Sequence, residues 1–219
     1  PAVSDVIATS RCTNAFTSED FIKPFPIYLR RAGYYCTNKS KTDYQFKHPR
    51  ETWDAAKGKG AHWRKRPNKD QPFFAVFNPT RTHESGMWPE ETRPSRADLS
   101  QGETVLAEFD PAAIELPPYF PDTPKVREAM ARMYSNIEHS DLFLGQLLLE
   151  LEEDGLSDNT VVVHWSDHGP LPRGKRWPYD SGIHVPLIAR WPGHIGAGRV
   201  TDHLSAQWDV LPTVLELVG

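Results

Sequence analysis

The run Val161-Val162-Val163-His164-Trp165-Ser166-Asp167-His168-Gly169 constrains this chain more than any other stretch. Three consecutive valines and a tryptophan read as a strand buried in a parallel sheet. The apolar run then stops abruptly at an acid, an imidazole and a glycine. Open α/β sheets gather their ligands at the carboxyl ends of the strands, where Asp167 and His168 are expected. An oxygen and a nitrogen donor side by side suit one metal ion. A turn in which Asp167 caps a following helix is the other reading of these residues taken alone.

The rest of the chain supplies the partners such a strand needs. Pro24 and Pro26 open a short helix over Phe25–Arg31, with Gly33 as its stop. Tyr34–Asn38 and Phe73–Asn78 read as strands, the second apolar on both faces as parallel sheets require. A short helix is expected near Glu51–Lys57, with Trp53 turned inward. Met87–Pro124 is a long proline-rich passage, read as surface loop and pocket rim. Lys125–Asp154 is the clearest helix: Thr123 caps it and Pro124 takes its first position. Its apolar residues Met130, Met133, Tyr134, Ile137, Leu144, Leu147, Leu148 and Leu151 recur at steps of three and four, and Gly155 ends it. Asp141 falls in this pattern and reads as a polar partner. Ile183–Arg190 is a further strand and Gln207–Leu217 a closing amphipathic helix. The pattern is α/β, a mostly parallel sheet flanked by helices. Its 219 residues fit one domain, with residues 1–20 a polar, irregular segment.

Charge and hydropathy remove several classes of function. Lys plus Arg number 25 against 29 acids, a net charge of −4, so no basic face for nucleic acid is expected. No apolar run is long enough to cross a membrane, and the first 20 residues lack the apolar core of a signal peptide. The two cysteines, Cys12 and Cys36, could form one bridge, which spacing alone does not show; the favoured reading is two ordinary thiols, Cys36 buried in its strand.

Beyond the Asp-His-Gly end come Gly174-Lys175 and then Val185-Pro186-Leu187-Ile188-Ala189-Arg190-Trp191-Pro192-Gly193. In order and spacing, Val161–Gly193 resembles the sulfatase family of the alkaline phosphatase superfamily. Ala32-Gly33-Tyr34 leading to Lys41 is similar to the family strand that ends in a lysine. There the usual Gly-Lys-Trp-His is replaced by Ser40-Lys41-Thr42-Asp43, a variant similar to a subgroup related to N-sulfoglucosamine sulfohydrolases. Pro72–Ser85 looks like the strand that delivers a substrate histidine, here His83. The closing segment Asp202–Gly219 also fits, so the resemblance runs from about Phe21 to Gly219.

The resemblance implies an incomplete alkaline-phosphatase-like fold and a specific site. Asp167 and His168 would bind one calcium ion; calcium's preference for oxygen favours Asp167 of the two. Lys41 and Lys175 would hold the sulfate from opposite sides and stabilise charge as it shifts. Lys39 shares the strand face of Lys41 and is the competing residue if the register is displaced by two. His83 would contact the sulfate and donate a proton to the leaving group. Asp43 stands where many sulfatases carry histidine, and orienting Lys41 is a role open to it. His48, His62, His139, His164, His184, His194 and His203 match no family site residue.

The same resemblance calls for a formylglycine nucleophile made within Cys/Ser-x-Pro-x-Arg and for an early Asp-Asp pair. The 219 residues contain neither; Ile7-Ala8-Thr9-Ser10-Arg11 is the nearest string. The expectation is an internal piece, or a truncated product, of a sulfatase lacking the nucleophile motif and the smaller C-terminal subdomain. The complete protein would hydrolyse sulfate esters or N-sulfated sugars of sulfated glycans, in the periplasm or outside the cell. A phosphodiesterase or phosphonate monoester hydrolase of the same superfamily and a catalytically inert product are the alternatives. The Lys41 and Lys175 pair favours the sulfatase.

Overall fold

The computed structural model describes residues 23–39, 41–42, 44, 48–58, 60–89, 109–170, 174–175 and 177–219. Cys12, Asp43 and the segment 1–20 lie outside the described residues. The chain divides into two compact units, Pro1–Asn78 with Ser205–Gly219, and Pro79–Leu204.

In the first unit, helix α1 spans Pro26–Arg31 and strand β1 spans Tyr35–Lys39. Proline fits the first helical turn, where its missing N–H has no partner to lose. The helix ends as expected: Gly33 adopts φ +93°, its N–H reaches the Arg30 carbonyl, and the Tyr34 N–H reaches Leu29. Strand β2 is Ala55–Ala56 and β3 is Phe73–Phe77. Both pair with β1 in parallel, giving the order β2-β1-β3, with Thr37 opposite Ala55 and Ala75. Because β1 is central, Cys36 and Thr37 are fully buried and Asn38 nearly so.

The helix expected near Glu51–Lys57 is replaced by a 3-10 turn, Arg50–Thr52, followed by β2. Asp54 explains the exchange. Its Oδ2 accepts the Cys36 N–H at 2.8 Å, its own N–H donates to the Cys36 carbonyl, and its Oδ1 accepts from Arg30 at 2.6 Å. These bonds draw the segment alongside β1. Trp53 is buried against Leu29 and Cys36, as its pattern implied. Helix α4, taken here out of chain order and spanning Gln207–Val218, adds Val214, Leu215 and Val218 to the same core.

Burial pushes the Cys36 thiol up to about 12, reinforced by Asp54 and opposed by Arg30. Burial likewise pushes the Tyr44 phenol up to about 12. Both groups stay protonated in the folded chain where the unfolded chain, with values of 9.0 and 10.0, loses the proton. Their contribution to stability is therefore complete below about pH 9 and is lost as pH rises towards about 12. The expected result is a melting temperature that falls through this window, with Cys36 inert to iodoacetamide near neutral pH until the chain unfolds. A thiol alkylated rapidly in the native protein contradicts the burial of β1.

In the second unit, helix α2 spans Pro124–Glu153, capped by Thr123, whose Oγ accepts the Val126 N–H. Arg127 fixes the preceding loop: it is bidentate to Asp122 and donates to the carbonyls of Pro111, Ala112 and Ile114. The apolar stripe holds at Met130 and Leu151 but fails in the middle. Ile137 is exposed, whereas Asn136 and His139 are buried, and Asp141 is exposed rather than a polar partner. Strand β4 is Val162–Trp165 and β5 is Leu187–Arg190. The strand expected from Ile183 starts only at Leu187; Ile183 instead ends the short helix α3, Asp180–Ile183.

The Val161–Trp165 run is thus a strand, but not the buried parallel strand its valines implied. It pairs antiparallel with β5, Val163 opposite Ala189, in a two-stranded sheet. Trp165, Leu187 and Ile188 are exposed in this unit. Triple valine reports strand propensity; it does not report the direction of the partner. No helix among the described residues is long and apolar enough to cross a membrane.

Candidate active site

Lys41 belongs to the first unit. Asn38 Nδ2 donates to its backbone carbonyl at 2.7 Å, and Asn78 Nδ2 donates to Asn38 Oδ1 at 2.7 Å. The Asn78 N–H also reaches the Lys39 carbonyl at 2.6 Å. Two asparagines at the ends of neighbouring parallel strands therefore hold the backbone that carries Lys41. Lys39 remains in β1, opposite Phe77.

His83, Asp167, His168 and Lys175 belong to the second unit. His83 precedes the 3-10 turn Glu84–Met87. Its Nδ1 accepts the Ser85 N–H at 3.2 Å and lies 3.0 Å from Ser85 Oγ. An accepting Nδ1 leaves the proton of the neutral ring on Nε2. The turn rests on α2: Arg132 Nε donates to the Met87 carbonyl at 2.9 Å, and a Cβ on Gly86 would meet Asn136 Nδ2 at 2.7 Å. Below it, His139 is buried, and burial, then the charge of Arg81, hold its pKa down.

Lys175 reaches this turn. Its Nζ lies 3.2 Å from Glu84 Oε2, with the two side chains only 23% and 15% exposed. The structure thereby brings together two of the elements that the sequence singled out, the Gly174-Lys175 loop and the histidine turn. It does so through Glu84, a residue the sequence reading passed over. Its position directly after His83 was the available signal. The polar side of α2 was missed because apolar spacing does not register Asn136 and His139 as inward.

Asp167 and His168 stand next to each other at the end of β4. His168 Nδ1 lies 2.7 Å from the Gly169 carbonyl, which can only accept, so Nδ1 carries the ring proton. His168 Nε2 lies 3.7 Å from Asp167 Oδ2. Two electron-pair donors this close together fit a shared cation, with a backbone carbonyl fixing the tautomer. They supply only part of a ligand shell: no group of three or more His, Cys, Asp or Glu among the described residues is placed to hold a metal. Three glycines join this turn to the Lys175 loop. The Gly169 N–H donates to the Gly182 carbonyl at 3.0 Å, and a Cβ on Gly182 would lie 2.3 Å from the Gly174 carbonyl oxygen.

The family model "Sulfatase" matches residues 20–219. This chain belongs to the sulfatase family. An ulvan-active sulfatase of Formosa agariphila is 40% identical over 251 aligned residues, covering 99% of this chain and 42% of that protein. Human N-sulphoglucosamine sulphohydrolase is 32% identical over 157 residues, 67% of this chain and 31% of that protein. Mouse N-acetylgalactosamine-6-sulfatase is 34% identical over 97 residues, 38% of this chain and 19% of that protein. The chain thus spans less than half the length of these relatives. The sulfatase resemblance read from Val161–Gly193 is borne out, and so is the kinship with the N-sulfoglucosamine enzymes.

Proposed function

We propose that the whole protein is a sulfuric ester hydrolase acting on sulfate esters or N-sulfated sugars of sulfated glycans. In this reading Lys41, His83 and Lys175 bind the sulfate and serve catalysis, and Asp167 and His168 hold one calcium ion. The 219 residues form part of one catalytic domain, and the protein works in the periplasm or outside the cell. Family membership and the relatives' names support the reaction class. The observation that carries the site is the bridge from Lys175 to Glu84, which ties a cation to the turn bearing a histidine.

The chemistry follows from residue type. A sulfate ester keeps negative charge on its non-bridging oxygens, and fixed ammonium groups lower the cost of burying that charge. Their hold strengthens as charge moves onto the departing oxygen. His83, with its proton on Nε2, donates that proton to the leaving alkoxide or amine. Calcium, when bound, withdraws charge from the sulfate oxygens. The family resemblance implies a formylglycine nucleophile, and the Cys/Ser-x-Pro-x-Arg motif that would form it is not among these 219 residues.

The test is release of inorganic sulfate from sulfated oligosaccharides by the whole protein, with and without a calcium chelator. Sulfate release that chelation abolishes is expected. Asp167→Asn should raise the calcium needed for half-maximal thermal stabilisation by about tenfold, since one anionic ligand is lost. A calcium response unchanged by Asp167→Asn removes that residue from the metal site, and a whole protein that leaves sulfated glycans intact refutes the activity.

A further inference from the structure

Glu84 is fixed beside the proposed anion site, and its charge has the wrong sign for binding an anion. It opens the 3-10 turn Glu84–Met87, whose next residue, Ser85, is buried and bonded to His83 Nδ1. It therefore does not swing freely as a surface acid does. Its Oε2 sits 3.2 Å from Lys175 Nζ, in a pair that is largely shielded from water. An ammonium has three N–H donors, so one can meet Glu84 while others meet a ligand oxygen. Any anion that Lys175 holds then has the Glu84 carboxylate as its next neighbour.

We propose that Glu84 is a specificity-determining residue, which holds Lys175 for a monoanionic sulfate ester and penalises the second negative charge of a phosphate monoester. The proposal rests on the reading of His83 and Lys175 given above. A lone lysine attracts a dianion twice as strongly as a monoanion. A lysine paired with a fixed carboxylate still attracts the anion it touches, but the carboxylate behind it cancels part of that attraction, so the preference for the dianion shrinks. Shielding from solvent keeps the carboxylate's repulsion from being screened away. The tetrahedral oxygens of sulfate and phosphate have the same shape, so charge is the property left for the site to read.

The experiment compares benzenesulfonate with phenylphosphonate, tetrahedral ligands that differ by one charge where the phosphonate is fully ionised. Neither is hydrolysed. Dissociation constants are measured by calorimetry on the whole protein, with melting temperatures recorded for each variant. Glu84→Gln should tighten phenylphosphonate about tenfold more than benzenesulfonate. Glu84→Asp, which keeps the charge, should retain the wild-type preference, and Lys175→Ala should weaken both ligands. If Glu84→Gln shifts both ligands by one factor, or Glu84→Asp behaves as Glu84→Gln does, the charge-reading role is overturned while Lys175 keeps its place. If Lys175→Ala leaves both affinities unchanged, the anion site itself is wrongly assigned and the proposal falls with it.

Discussion

Replacing Lys175 by alanine in the whole protein should lower kcat/KM for a sulfate ester by two to three orders of magnitude. Loss of a cation that acts on moving charge costs on the order of 3 kcal/mol of transition-state stabilisation. The melting temperature should fall as well, because Glu84 loses the ammonium of a pair largely shielded from water, so kcat/KM is compared well below the transition. A surface lysine would cost within about 0.5 kcal/mol of nothing on either measure. Lys41→Ala should behave as Lys175→Ala does, and Lys39→Ala should remain near wild type. The structure sharpens this contrast: Lys39 is still paired within β1, whereas the backbone at Lys41 is held by Asn38 at the strand end. A crippled Lys39→Ala beside an active Lys41→Ala places the binding lysine two residues earlier. A fully active Lys175→Ala removes the residue on which the proposed site rests.

How much of this was legible in the sequence depends on the range of the interactions involved. Helix α2 was read almost to its ends, because Thr123, Pro124 and Gly155 act on their own backbone neighbours. Strands β1 and β3 were read to within a residue or two for the same reason. The direction of β4 was not, since antiparallel pairing with β5 is decided some 25 residues away, and valine favours either ladder. The short β2 replaced an expected helix because Asp54 bonds to Cys36 across 18 residues, a contact local propensity does not contain. The site divides along the same line. His83, Asp167 and Lys175 were singled out by their positions in the motifs that carry the family resemblance. Glu84 acquires its meaning only when Lys175, 91 positions later, arrives at its carboxylate. The buried Asn136 and His139 are similar: they face inward because the histidine turn rests on them, and a helical wheel of apolar residues points elsewhere.

The second large effect is expected at glycines that bear no chemistry. A Cβ added at Gly169 would lie 1.7 Å from the Ser181 carbonyl oxygen, and one added at Gly182 would lie 2.1 Å from that of Trp177. In both cases the obstacle is backbone, which cannot rotate aside, so the two segments must separate by more than an ångström. Separation breaks the hydrogen bond from the Gly169 N–H to the Gly182 carbonyl, the link between the Asp167-His168 turn and the loop of Lys175. Forcing packed backbone apart costs on the order of 1–3 kcal/mol in folding. Displacing a catalytic group by about 1 Å costs about a hundredfold in rate. Gly169→Ala and Gly182→Ala should therefore lower the melting temperature and also reduce kcat/KM by about two orders of magnitude, measured well below the transition so that the folded fraction is constant. Gly145→Ala is the opposing control. Gly145 lies inside α2 with nothing within 4 Å of its added Cβ, so alanine there should stabilise the helix by up to ~1 kcal/mol and leave the rate alone. If Gly169→Ala and Gly182→Ala melt lower yet turn over normally at low temperature, the glycine contacts support the fold without placing Lys175. If they keep both stability and rate, the three segments do not pack as described.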